Sequence, residues 1–223
     1  MSSMKAKESK NFLSSSFTDL MASLAVIFIL LTVVFIKSSS ERSKEGKKAV
    51  RSQLAGVLDK NNLPLVQDAN DPLTLSVRVS ENLLKFASGS AALSEAGGQF
   101  MDQFFPALAA ELCAEPMRSS IDAVIIEGHT DKSGEGAAGG TSNNIRLSQN
   151  RSFSVLSRGL AAVRHDQPLY DCVLKLILAS GRGSSVPIMV DNDYSSDQSR
   201  RVEIKIRVKS HEQEYFLKEK SKL

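Results

Sequence analysis

The chain has 223 residues, a formal net charge of +3, no Trp and only 6% aromatic residues. So mild a charge, without an aromatic platform for bases, argues against nucleic-acid binding. Two cysteines and three scattered histidines (His129, His165, His211) suit neither a zinc site nor a redox motif. No phosphate loop, dinucleotide fingerprint or nucleophile elbow is present, so a soluble enzyme is not expected, and neither is a cofactor or a metal.

Residues 1–11 form a short polar tail that contains Lys5, Lys7 and Lys10. Leu20 to Ile36 is an uncharged apolar run of about 17 residues, and carrying it back to Phe12 gives about 25. Residues 12–36 are therefore long enough to cross a bilayer with tilt. Asp19 then lies inside the membrane helix, near its N-terminal end. A carboxylate there costs roughly 2.5–3.5 kcal/mol unless it faces protein or water, so its presence points to ion or proton traffic. Two plainer accounts stand beside this one. Asp19 can cap the helix at the interface, or residues 1–38 can be a cleaved signal peptide with a basic start and small residues at Ser38 to Ser40. Against cleavage, the apolar run is long and Lys37 sits where small neutral residues are wanted. Arg42, Lys44, Lys47, Lys48 and Arg51 make the far side more basic than the tail, which by flanking charge alone would put the C-terminal part inside.

Residues 37–70 read as a linker. Ser38 to Lys48 is polar and charged, and Val50, Leu54, Val57 and Leu58 give a weak helical pattern within a solvated spacer. Asn61-Asn62-Leu63-Pro64 ends it. From Asp71 to residue 209 the texture is that of a folded α/β domain, and 210–223 is a polar tail. Leu73, Leu75, Val77 and Val79 alternate with polar residues, as in a half-buried strand. Phe100, Met101, Phe104, Phe105, Leu108 and Leu112 predict an amphipathic helix from about Ser94 to Cys113. Ala123 to Ile126 predicts a central strand, about Ser148 to Val163 a second helix, and Cys172 to Leu178 another strand. Val202, Ile204, Ile206 and Val208 make a last strand with one wet face. The expected class is α/β, a two-layer sandwich whose sheet is covered on one face.

Glu127-Gly128-His129-Thr130-Asp131 places Asp131 at the C-terminal end of a strand, where α/β sheets bind ligands. Arg151 lies in the first turn of the next helix, near the same edge. An Asp and an Arg side by side grip a zwitterion, the carboxylate taking an ammonium and the guanidinium a carboxylate. They can equally just pair with each other.

The motifs GHTD (128–131), N-x-x-L-S-x-x-R (144–151), Gly181-Arg182-Gly183 before Pro187, and Arg200-Arg201-Val202-Glu203-Ile204 occur in this order. With Phe86, Ser88-Gly89-Ser90-Ala91 and Leu93 upstream, the chain resembles the OmpA-like peptidoglycan-binding domain over roughly residues 73–209. The resemblance implies a βαβαβ-type fold that holds the diaminopimelate side chain of the wall peptide. Asp131 would take the ligand ammonium and Arg151 its carboxylate, with Gly128, Thr130 and Asn144 in the same binding motif. The loop Lys132 to Asn143 is longer and richer in glycine than that family shows, and Ser199 stands where it commonly has Asn. His129 reads as a structural residue of the loop. A wall-binding domain lies outside the inner membrane, which overrules the flanking charge and places the N-terminus in the cytoplasm and the C-terminal domain in the periplasm. Cys113 and Cys172 then meet an oxidising compartment, where a disulfide and two separately buried thiols both remain open.

One early-Asp membrane helix, a linker and an OmpA-like domain together resemble the MotB-type B subunits of rotary stators. That resemblance implies an inner-membrane complex of two B chains within five MotA-like A chains, driven by ions that load and leave the carboxylate at Asp19. The context FTDLMASLAVIFILL and the brevity of the chain look more like the ZorB subunits of Zorya antiphage systems, which implies a ZorA-like partner. A flagellar B subunit, a passive envelope tether and a secreted wall-binding protein are the alternatives. Thr18 and Ser23 offer oxygens for sodium, whereas a lone carboxylate among apolar neighbours favours protons.

Overall fold

The computed structural model describes residues 2–68, 70–84 and 86–210, with side chains from Phe17 onward except at 39, 40, 42 and 43. Residues 211–223, including His211 and nearly all of the expected polar tail, lie outside the described residues. Helix α1 runs over Ser2–Lys60. The chain divides into two units, Met1–Lys44 and Glu45–Leu223.

In the first unit the apolar stretch Phe17–Ser38 spans 22 residues. At 1.5 Å per residue that is about 33 Å, close to the hydrocarbon thickness of a bilayer. Every side chain from Phe17 to Ser38 is exposed, Leu20, Phe28 and Val34 among them. A helix apolar all round has no watery face and suits lipid or a partner helix. Thr32 returns its hydroxyl to the Phe28 carbonyl at 2.8 Å, so this polar group is satisfied within the helix. Asp19 is the third residue of the span.

The second unit begins inside the segment expected to be linker. Val50, Leu54 and Leu58, spaced four apart on α1, are fully buried in the core of this unit. Lys47 donates to Gln67 Oε1 at 3.0 Å and to the Pro72 carbonyl at 2.8 Å, and Gln53 to the Glu111 carbonyl at 3.3 Å. The linker boundary at 70 is thus corrected. The stripe looks weak in sequence because it is short, yet it packs a full helical turn interval against the domain. Asn62 ends the helix in the left-handed conformation, φ 52°, with the Leu63 amide on the Leu58 carbonyl.

The remaining elements are β1 (Leu65–Gln67), β2 (Thr74–Ser80), α2 (Glu81–Leu84), α3 (Glu95–Cys113), α4 (Met117–Ser120), β3 (Ile121–His129), α5 (Gly140–Val163), α6 (Gln167–Leu176), β4 (Ile177–Gly181), β5 (Ile188–Val190), β6 (Asp193–Ser195), α7 (Ser196–Ser199) and β7 (Arg201–Val208). The main sheet has the order β1-β2-β7-β3-β4, antiparallel except for the parallel pair β3–β4. Alternation sets its faces. Val77 and Ile126 both lie opposite Ile204, and these three are buried against the helical layer. Met101, Phe104, Phe105 and Leu108 of α3 and Val155 of α5 complete that core. The α/β class with one N-terminal apolar helix, expected from the sequence, is what the chain forms.

Ser94 caps α3 by accepting from the Gly97 amide at 3.1 Å. The second helix starts at Gly140 rather than near Ser148. The strand expected over Cys172 to Leu178 is instead α6 up to Leu176, with β4 following. Asp166 caps α6 through the Leu169 amide, Pro168 lies in its first turn, and Leu169, Val173 and Leu176 fall on one helical stripe. A short apolar run that suits either element is decided here by its cap. Cys113, ending α3, and Cys172 of α6 form a disulfide that ties these helices together. The hairpin β5–β6 turns at Asp191 and Asn192, both left-handed (φ 51° and 69°).

Candidate functional site

Strand β3 ends at His129, and the chain leaves it through Thr130 and Asp131 into a cleft of about 1140 Å³. Thr130, Asp131, Asn144, Arg151, Arg200, Glu81 and Phe86 line it. The architecture brings Asp131 and Arg151 to one cleft because α5 crosses back over the end of β3. Gly128 permits that crossing. A Cβ there would stand 2.1 Å from the Ser148 carbonyl oxygen, so Gly128 serves the packing of β3 on α5 and does not line the cleft. Gly181-Arg182-Gly183 locks the same edge. The Arg182 amide donates to the Gly128 carbonyl, the Thr130 amide to the Gly183 carbonyl, and the Gly183 amide to Ser148 Oγ at 2.8 Å.

Asp131 is fully engaged. Its Oδ1 accepts from the Ser133 amide at 3.0 Å, and its Oδ2 from Ser196 Oγ and Arg200 Nη1, each at 2.8 Å. Burial pushes its carboxyl up, but the bonds from Ser196 and Arg200 outweigh that and hold it at about 2. Asn144 donates to the Asp131 and Ser133 carbonyls at 3.3 and 3.2 Å and so fixes the loop that carries the carboxylate. Thr130 lines the cleft, and its Oγ1 is buried with no hydrogen-bond partner among the described residues. The long loop is pinned at its start, where Tyr194 Oη accepts from the Lys132 amide at 2.8 Å, and again where Ser184 Oγ meets Glu135.

Arg151 is buried. It donates Nε to the Ser90 carbonyl at 2.9 Å, places Nη2 2.9 Å from Glu81 Oε1, and stacks its guanidinium over Phe86, 4.9 Å from the ring centre. Ala87 and Ser90, in the loop before α3, therefore reach the site through backbone carbonyls. Asp131 and Arg151 do not pair with each other among the described residues. Two partners, Glu81 and Arg200, stand between them. Arg200 was visible in the paired-arginine motif, though without a role. Glu81 had no sequence signal of its own, because its meaning comes from contact with a residue 119 positions away. A cleft of this kind offers both charge signs a few ångströms apart and suits a ligand carrying both.

His129 lies elsewhere. It is 1% exposed on the opposite face of the sheet, with Nε2 3.3 Å from Glu127 Oε1. Lys205 Nζ lies 2.5 Å from Glu127 Oε1 and 3.0 Å from Asp68 Oδ2, and Arg201 Nε 2.5 Å from Glu203 Oε1. Arg78 Nε approaches Glu203 Oε1 at 3.6 Å. Burial pushes Glu127 up, but bonds from His129 and Lys205 outweigh it and hold it at about 2. Burial pushes the His129 imidazole below its ordinary value against the pull of Glu127. Glu127, His129 and Glu203 have ligand atoms close enough for one metal ion. Their charge is already spent, since Asp68, Glu127 and Glu203 face Arg78, Arg201 and Lys205. A divalent ion would have to displace Lys205 and Arg201 and leave those two cations without partners on a buried face. The cluster is structural.

No protein-family model matches the sequence, and no curated protein matches it. Among solved structures, the chain is similar to a MotB-like protein from Desulfovibrio vulgaris at 20% identity and a TM-score of 0.52, over 78% of this chain and 98% of that one. It also matches the cell wall anchor of the T6SS from Pseudomonas aeruginosa at 21% identity and a TM-score of 0.46, over 71% of this chain and 96% of that one. A periplasmic domain of MotB matches at 19% identity and a TM-score of 0.48, over 70% and 73%. The first of these likenesses shows the fold.

Proposed function

We propose that the chain is the B subunit of an ion-driven rotary stator in the bacterial inner membrane, anchored to peptidoglycan by its C-terminal domain. The observation that carries this is one chain holding both an apolar membrane-length stretch with Asp19 as its third residue and a two-sign cleft built from Asp131 and Arg151. In this account the N-terminus is cytoplasmic and the domain periplasmic. Asp131 and Arg151 take the ammonium and carboxylate of a diaminopimelate side chain, with Thr130 and Asn144 completing the binding loop. Two copies pair, so that two apolar helices are enclosed by a ring of MotA- or ZorA-like subunits. Desolvation favours the neutral form, so a carboxylate enclosed by helices holds a proton when its surroundings dry and gives it up when they wet. Protons suit a lone carboxylate with apolar neighbours better than sodium does. No covalent chemistry is assigned to the chain.

The sequence context of Asp19 favours a ZorB-type role in antiphage defence. The test is phage plaquing on cells carrying this gene with its native neighbours, comparing wild type with Asp19→Asn. Protection by the wild type that vanishes in the variant is expected. Absence of protection in the wild type would refute the defence role and favour a motility-type stator. A passive wall tether is the other reading, favoured by the self-contained cleft, and it requires Asp19→Leu to be harmless.

A further inference from the structure

Glu81 opens α2 directly after β2, and its side chain is 15% exposed inside the cleft. Its two oxygens serve two arginines. Oε1 lies 2.9 Å from Arg151 Nη2, and Oε2 accepts from Arg200 Nε at 2.7 Å. Arg200 in turn gives Nη1 to Asp131 Oδ2 at 2.8 Å. The cleft therefore holds a chain of alternating charges, Arg151–Glu81–Arg200–Asp131. Each of the two groups assigned to a ligand already has an internal partner of the kind that the ligand would bring.

We propose that Glu81 is a resident stand-in for the ligand carboxylate, and that binding is an exchange of ion pairs rather than a filling of vacant charges. The proposal rests on the zwitterion reading of the cleft. The incoming carboxylate displaces Glu81 from Arg151, and the incoming ammonium displaces Arg200 from Asp131. The Glu81–Arg200 pair is carried over intact. Two pairs break, two form, and the charge of the cleft does not change.

Selectivity follows from that balance. A ligand with a carboxylate but no ammonium would add one net negative charge to a partly buried network of two carboxylates and two guanidiniums. A ligand with only an ammonium would add one net positive charge. Either leaves a charge without a full partner, which is costly in a desolvated site. Glu81 thereby lowers the affinity for any ligand that brings a carboxylate, and most for one without an ammonium, making the cleft selective for a zwitterion at the expense of strength.

The test measures binding of a diaminopimelate-terminated muropeptide, and of the same muropeptide acylated on that ammonium, to the full chain in detergent. Wild type, Glu81→Gln, Glu81→Ala and Arg151→Ala are compared, with thermal unfolding as the check on folding. Glu81→Gln and Glu81→Ala are expected to bind the zwitterion about five- to tenfold tighter than wild type and to discriminate less against the acylated ligand. Unchanged or weaker binding of the zwitterion by folded Glu81 variants would overturn the proposal. Loss of the fold in both Glu81 variants would also overturn it, by making Glu81 a fixed anchor rather than a displaceable group. Failure of the zwitterion site itself has a separate signature, which is wild-type binding unaltered by Arg151→Ala.

Discussion

His129 Nε2 and Glu127 Oε1 lie 3.3 Å apart on the buried polar face of the sheet, and both titrate away from their ordinary values. The direction of each shift decides how stability depends on pH. His129 is held below 6.5 by burial, so the unfolded chain takes up its proton first as the pH falls. Stability should therefore decline as the pH drops below about 6.5. Glu127 and Asp131, both held at about 2, contribute stability present above their unfolded values and lost as the pH falls from about 4.5 to 2. Each contributes on the order of 1–2 kcal/mol after solvent screening. Urea unfolding from pH 8 to 3 checks this. A flat profile between pH 7.5 and 5 would contradict the burial of a neutral His129.

The segment 45–60 belongs to the domain in energy as well as in sequence. Leu54 is 0% exposed, so Leu54→Ala empties part of the core and should cost about 2–5 kcal/mol. Denaturant midpoints of wild type and variant measure it. A loss under about 0.5 kcal/mol would mean that the helix end is a detachable spacer after all.

Reduction of the Cys113–Cys172 bond should destabilise the domain by about 4 kcal/mol, the loop-closure value for its separation of 59 residues. Thermal unfolding with and without reductant, repeated on Cys113→Ala, tests this. Reductant should lower the midpoint of the wild type and leave that of the variant unmoved.

Arg151→Ala should weaken sedimentation with purified peptidoglycan at least about tenfold, or about 1.4 kcal/mol. It should cost about 1–3 kcal/mol in stability through the contacts to Ser90 and Glu81 while the domain stays folded. Unchanged sedimentation would remove Arg151 from the binding site.

Much of this was legible before the structure. The alternations over 73–79 and 202–208 named two sheet strands, because apolar side chains under the helices alternate with polar ones on the other face. That other face is largely buried and ion-paired where the sequence predicted a wet one. Ser94 marked the cap of α3, and the GHTD and N-x-x-L-S-x-x-R motifs brought Asp131 and Arg151 to one cleft. What escaped has physical reasons. The run 172–178 is apolar enough for either element, and only Asp166 and Pro168 upstream decide for helix. Gly128 sits within a binding motif yet works through the close approach of Ser148. Glu81 has no motif, and its role exists only once Arg151 and Arg200 fold against it. The helix that buries Val50 and Leu54 looked like spacer because four apolar residues after a charged stretch make a weak signal until the domain covers them.

The central claim is that Asp19 carries ions, and proton flux tests it most directly. Vesicles containing the chain with its genomically adjacent membrane partner would be given an inward proton gradient, and internal pH followed for wild type and Asp19→Asn at equal assembly. The account predicts a proton leak in the wild type that falls to the level of empty vesicles in the variant. Equal flux in both, with the complex intact, would contradict it and leave the chain a passive wall tether.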